Sequence, residues 1–446
     1  MGGMTAAPAF DDKALIRRAY DRLTFGAAPG ALITAQAGSS GAAIGRLLVP
    51  TGADAHAAAI PAPTFDEIVA VGKDKTPEKR KARAAAVKQN REALLWWWLR
   101  MVVAADHQIT ERMTWVWQGH FATSIQKVKS GSLMWQQNNT ERRLALGSFT
   151  DLAKAMVVDP AMLVWLDGNN NTAKAPNENL SREFMELFTL GHGHYTETDV
   201  RQAARTLTGW TVDRKSGKVR LVPKRQDTGD KTILGRTAAF VADTFVDQVL
   251  GQAASAPFVI GRLWFRLVST TPPDAATMAK LVAAYGPSRN IAATVRAITA
   301  SPAFTAADSS LVKQPVEWLV ALLRALGADP AGYPDALRKK LMNGLRGMGQ
   351  VPFTPPSVGG WPAGRAWLTT ATSMARLQLA RAVAEQHRPA ALATGGSPAA
   401  RVDGLQKLLG VDGWTDRTRA ALMTAADDPV AALTVAACSP EYVVSR

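Results

Sequence analysis

Long alanine-rich stretches carry apolar residues at three- and four-residue spacing, and Gly or Pro interrupts them again and again. That rhythm leaves little room for extended sheet, and it predicts a mainly α protein built from many short to medium amphipathic helices. With 446 residues, 47% of them hydrophobic, the chain is large enough to bury one large core or two to three ordinary ones. The most apolar run, Leu94 to Ala105, is broken by Arg100 and is shorter than the roughly 20 residues of a membrane span. The single cysteine, Cys438, rules out an intramolecular disulfide framework and a multi-cysteine zinc site.

Local signals place the elements. Asp11 or Asp12 caps a first helix running to Leu23. Thr76-Pro77-Glu78 combines an N-cap, a proline at the first helical position and a first-turn acid, so a long helix starts there. Its first half is basic (Lys79, Arg80, Lys81, Arg83, Lys88, Arg91), whereas ALLWWWLRMVVAA is apolar almost all round, which makes one end wet and the other buried. Around 214–236 the helical pattern fails, and Ser216-Gly217 followed by alternation from Lys218 to Val222 predicts a small β-hairpin or basic loop. Helices are expected near 241–250, 257–268, 274–285, 290–300, 314–326, 335–346 and 367–385, while 352–364 is too rich in Pro and Gly for helix or strand. The pattern suggests an N-terminal helical region at 12–210, a basic insertion at 211–238, a second helical region at 239–390 and a helical tail at 395–446 packed on the core. AITASPAF at 297–304 and VAACSPEY at 435–442 hint at a duplicated helical hairpin.

There are 52 Lys and Arg against 37 Asp and Glu, a formal net charge of +15, so a polyanion or an acidic partner is expected. No helix-turn-helix, zinc finger or aromatic-basic RNA motif accompanies the basic stretches, and no phosphate-binding loop, G-x-S-x-G elbow or H-E-x-x-H is present. The amino-terminal segment lacks an apolar stretch after its basic residues, which makes the cytoplasm the expected compartment, with export on a signal-bearing partner as the alternative.

Several segments carry a specific likeness: RLTFGAAPG at 22–30, WVWQGHFATS at 115–124, QQNNTERRLALGSF at 136–149, PNENLSREFMELFTLG at 176–191, KTILGRT at 231–237, VKQPVEW at 312–318 and PPSVGGWPAG at 355–364. In this order they resemble the bacterial family known as domain of unknown function 1800, over nearly the whole chain. The resemblance implies a mostly helical fold and export of many members. It also implies a sulfatase- or phosphatase-like partner, the domain of unknown function 1501 family.

Candidate chemistry centres on the PNEN run. Taken as one helix from Asn179 to Leu190 with Gly191 beyond its end, the segment forms an apolar stripe of Leu180, Phe184, Leu187 and Phe188. Glu178, Arg182 and Glu186 then make an ion-pair ladder. Glu183 falls at the edge of the stripe, where partial burial would raise its pKa, and it is the candidate general acid or base. Asp167 and Glu178 are its candidate carboxylate partners, and the loop with Asn177, Asn179 and Arg182 is the candidate substrate-binding wall. A salt link from Glu183 to Arg142, Arg143 or Arg205 is the plainer alternative. A divalent-metal reading uses His192 and His194 with His120, Glu183 or Asp167 as a third ligand, against a core role for His120 on the face of Met113, Trp117 and Phe121. Of the clustered tryptophans most are expected in the core, and Trp361, in its Gly-Gly-Trp-Pro loop, is expected as an exposed platform.

Overall fold

The capping signals at the start of the chain translate directly into structure in the computed structural model, which describes residues 10–68, 76–213, 216–307, 309–388 and 396–445. Asp11 accepts the Ala14 amide at 2.8 Å and opens the helix Asp12–Leu23. Thr76 accepts the Lys79 amide, Pro77 occupies the first turn, and the helix Pro77–Ala104 runs for 28 residues. Its first turns are exposed on every side, whereas Leu94, Trp97, Trp98 and Val102 are buried. Burying roughly 1.5–3 kcal/mol per large apolar side chain anchors that end and leaves the basic end standing in solvent.

The later helices form where their periodicity placed them: Ala242–Leu250, Ser255–Leu267, Ala275–Tyr285, Ile291–Thr299, Pro315–Ala325, Asp335–Gly347 and Thr370–His387. The loop 352–363 is irregular, and Gly364–Trp367 is a 3-10 turn. Both Ser-Pro segments adopt one local structure, with Ser301 and Ser439 as N-caps and Pro302 and Pro440 opening the short helices Pro302–Thr305 and Pro440–Val443.

Strand content exceeds the single hairpin expected at 214–236. Among the described residues Trp210–Val212 pairs with Val219–Leu221, Lys231–Ile233 pairs with Arg236–Ala238, and Leu311–Val312 pairs with Val444–Ser445, all antiparallel. Arg214 and Lys215 lie outside the described residues. The third pair was invisible to local patterning because two-residue strands far apart in sequence carry no period of their own.

Apolar side chains gather into two large clusters that interlock across the sequence. One joins the buried half of Pro77–Ala104 to Pro315–Ala325, Asp335–Gly347, Thr370–His387 and the C-terminal helices. The other joins Gln108–His120 to the helices between Phe149 and Thr299. Gln108–His120 serves both, Trp115 facing the first and Met113, Val116 and Trp117 the second. The sequence boundaries at 390 and 395 fall outside the described residues.

Between the clusters runs a seam of buried arginines bonded mostly to backbone carbonyls. Arg22, 1% exposed, donates to the carbonyls of Val268, Ser309 and Ser445 and to the Ser445 hydroxyl. Arg18 reaches the carbonyls of Phe304, Ala306 and Ser309. Arg112 bonds the Arg22 and Arg266 carbonyls and Glu317, and Arg324 ties Gly26 to Ala105. Burial, then the neighbouring Arg18, pulls Arg22 down to about 9. No described helix is long and apolar enough to cross a membrane.

Candidate functional site

The PNEN segment is built around a buried asparagine. Asn171, fully buried, donates to the Ala204 carbonyl at 2.8 Å and accepts the Asn177 amide at 2.9 Å. Asn177 in turn accepts the Asn179 amide at 3.0 Å, an Asx turn that opens the helix Asn179–Glu183. The side chains of Asn171 and Asn177 therefore serve the backbone.

After Glu183 the α-helix does not continue as expected. Phe184–Thr189 is a π-helix, in which the Leu190 amide reaches the Met185 carbonyl at 2.8 Å, five residues back. Leu180, Phe184, Met185 and Phe188 stay buried, while Leu187 is only half-buried. The wider turn breaks the ladder: Arg182 pairs with Glu178 at 3.1 Å and with Glu197 at 2.6 Å, but Glu186 is rotated away. Glu186 accepts from the Tyr195 hydroxyl and sits 3.1 Å from Nε2 of the exposed His192. Thr196 and Asp199 form a capping box.

Glu183 is half-buried, and desolvation followed by repulsion from Glu186 raises its pKa, with Arg182 and His192 opposing. It forms no hydrogen bond or ion pair with Arg142, Arg143 or Arg205 among the described residues; Arg142 holds Glu111 and Arg205 holds Asp227. The expected carboxylate partners are committed elsewhere. Asp167, at a left-handed φ of 60°, bonds Lys127 at 2.8 Å, and Glu178 belongs to Arg182.

Two of the candidate residues lie in the core, His120 by the second of its two readings and Trp361 against expectation. His120 does not join His192 and His194: it is 2% exposed, its Nε2 bonds the Phe188 carbonyl at 2.9 Å, and Trp117, Phe121, Phe149 and Phe188 ring it. Burial, helped by Arg262, takes its pKa down to about 3. His194 is exposed. Among the described residues no group of three or more His, Cys, Asp or Glu side chains is placed to hold a metal ion. Trp361 is not an exposed platform either. It is 4% exposed and stacks on Trp115 with centroids 4.9 Å apart, because Gly360, at φ +82°, lets the loop lie directly on the Gly119 backbone.

What residue-by-residue reading missed is an open groove beside the basic half of Pro77–Ala104. Arg80, Arg83, Lys88 and Arg91 form one wall, and Ile125, Gln126 and Lys129 the other. Arg91 and Gln126 continue into a second cleft that holds Arg346, Thr354 and one carboxylate, Glu92, which lies 4.0 Å from Lys88. The basic run was legible, but its facing wall comes from residues some forty positions away.

A second signal lay in the quoted segments themselves, since 22–30, 115–124, 312–318 and 355–364 converge on the arginine seam. Gln314 caps Pro315–Ala325 in a reciprocal box with Glu317, and Arg266 holds the Trp361 carbonyl at 2.7 Å.

The fold and seam define a mainly α, multi-helical protein. A family model described as "Protein of unknown function (DUF1800)" matches residues 18–444, and the chain belongs to that family. No curated protein and no solved structure matches it.

Proposed function

We propose that the protein binds an extended anionic polymer of carbohydrate type in the groove beside Pro77–Ala104. The observation that carries this reading is the lining: Arg80, Arg83, Lys88, Arg91 and Lys129, with no carboxylate among the described lining residues. From Arg80 to Arg91 the helix rises about 16 Å, a ridge of cations suited to several successive anionic groups. No aromatic side chain is among the described lining residues, so they do not offer the stacking that single-stranded nucleic acid uses. This favours a sulfated or carboxylated polysaccharide. Fluorescence anisotropy with labelled heparin tests it, with a single-stranded DNA oligomer for comparison. Wild-type protein should bind heparin, with affinity falling steeply as salt rises, and the Arg80→Glu/Arg91→Glu variant should lose about tenfold or more. No heparin binding at low salt, or equal binding by the variant, overturns the reading.

A second reading gives Glu183 an acid/base role, supported by its raised pKa and by the Glu186, His192 and Tyr195 side chains next to it in the chain's fold. Glu183→Gln should then abolish turnover of a bound polymer while binding and melting temperature hold. Unchanged turnover would sink this role.

A further inference from the structure

We infer that a second site, unrelated to the groove, binds a small amphipathic carboxylate: a cavity of about 290 Å³ between the first helix, the glycine loop 26–30, Pro315–Ala325 and Pro398–Leu409. That volume lies at the small end of the roughly 300–1,000 Å³ of ordinary ligand pockets.

The glycine loop is shaped to leave this space. Gly26 has φ +95° and packs against Ala321, where a Cβ would lie 2.9 Å from the Ala321 methyl. Gly30 also has positive φ, so the chain turns sharply over Pro29 and presents Leu32 and Ile33. Ala321, Ala325 and Leu408 complete an apolar wall. Ile33, which also lines the cavity, is 59% exposed.

The polar lining supplies donors in excess. Arg17 spends its terminal nitrogens on Asp412 at 2.6 Å and the Glu441 carbonyl at 3.1 Å, leaving Nε buried without a partner. Tyr442, 2% exposed, has a hydroxyl that is equally unpartnered, and the Lys313 ammonium lies 4.3 Å from its ring centre. Lys313 is itself tied to Asp21 at 2.9 Å. Lys407 lines the cavity, is exposed, and forms no ion pair among the described residues. The ionised lining is thus Arg17, Lys313 and Lys407 against Asp21, and counting Asp412 behind Arg17 still leaves one positive charge over. Two buried donors lacking acceptors, a surplus cation and an apolar wall together call for a ligand with acceptor oxygens, a negative charge and a hydrocarbon body. A medium-chain acyl carboxylate has all three.

Isothermal titration calorimetry and thermal melting of the full chain with decanoate, decanol and decylamine test this. Decanoate should bind and raise the melting temperature, and decanol should bind more weakly. Decylamine should not bind. Tyr442→Phe removes the orphan hydroxyl without removing packing, so it should fold at least as well as wild type and lose about five- to tenfold in decanoate affinity. Lys407→Glu, a surface change, should weaken decanoate and spare decanol. Absence of decanoate binding at millimolar concentration overturns the proposal, as does equal affinity for decanoate and decanol, or undiminished decanoate affinity in both variants.

Discussion

Glu141 is 1% exposed, and neither of its carboxylate oxygens has a hydrogen-bond partner. Burial, reinforced by Asp159, pushes its pKa well up, and burial pushes Asp159 itself up to about 7. With folded pKa values above those of the unfolded chain, both groups bind more protons when folded, so each favours folding at low pH, and that contribution is lost as pH rises through the folded pKa. His120 acts oppositely. Its folded pKa of about 3 lies below the unfolded 6.5, so the unfolded chain takes up the extra proton and stability falls as pH drops through that window. Glu141→Gln removes one acid contribution and leaves the others, so its gain in stability should reach about 1–3 kcal/mol near pH 7.5 and shrink near pH 5. Thermal unfolding of both proteins at the two pH values checks this; a gain independent of pH would mean Glu141 is not protonated in the fold.

At the scale of elements, caps behaved as local chemistry dictates and loops did not. Thr76 caps as its sequence indicates, and Thr76→Ala should cost about 1 kcal/mol in urea unfolding. The loop at 357–363 is decided by its neighbour. Gly360→Ala adds a Cβ where the Gly119 backbone already lies, at a φ that disfavours side chains, so it should cost about 2 kcal/mol or more. It should also separate Trp361 from Trp115, visible as altered near-ultraviolet circular dichroism. The π-turn after Glu183 belongs with the loop: a helical wheel put Glu186 on Arg182, and the packing of Phe184, Met185 and Phe188 put it on Tyr195.

Across the whole molecule, the arginine seam joins the first helix to segments nearly the full chain length away. Arg22 reaches Ser445, and Arg17 reaches Asp412 and the Glu441 carbonyl. Replacing Arg22 by Met strands several buried carbonyls and should cost on the order of 3 kcal/mol or more. The exposed pair Arg182–Glu197 is the contrast: Arg182→Met should cost less than about 1 kcal/mol. Denaturant unfolding of the two variants side by side measures the difference, and similar losses would mean the seam is not what holds the termini.

By itself the sequence determined the mainly α character, most helix positions and their caps, the wet and buried ends of Pro77–Ala104, and the half-buried state of Glu183. These follow from period, capping and composition within a few turns of chain. Only the tertiary structure decided that His120 and Trp361 are core side chains, that Asp167 belongs to Lys127, that the basic helix has a facing wall, and that a glycine loop and the C-terminal helices enclose a cavity with spare donors. Each of those depends on which residue from a distant segment arrives opposite. Burial and hydrogen-bond satisfaction settle that between segments, and no local period records it.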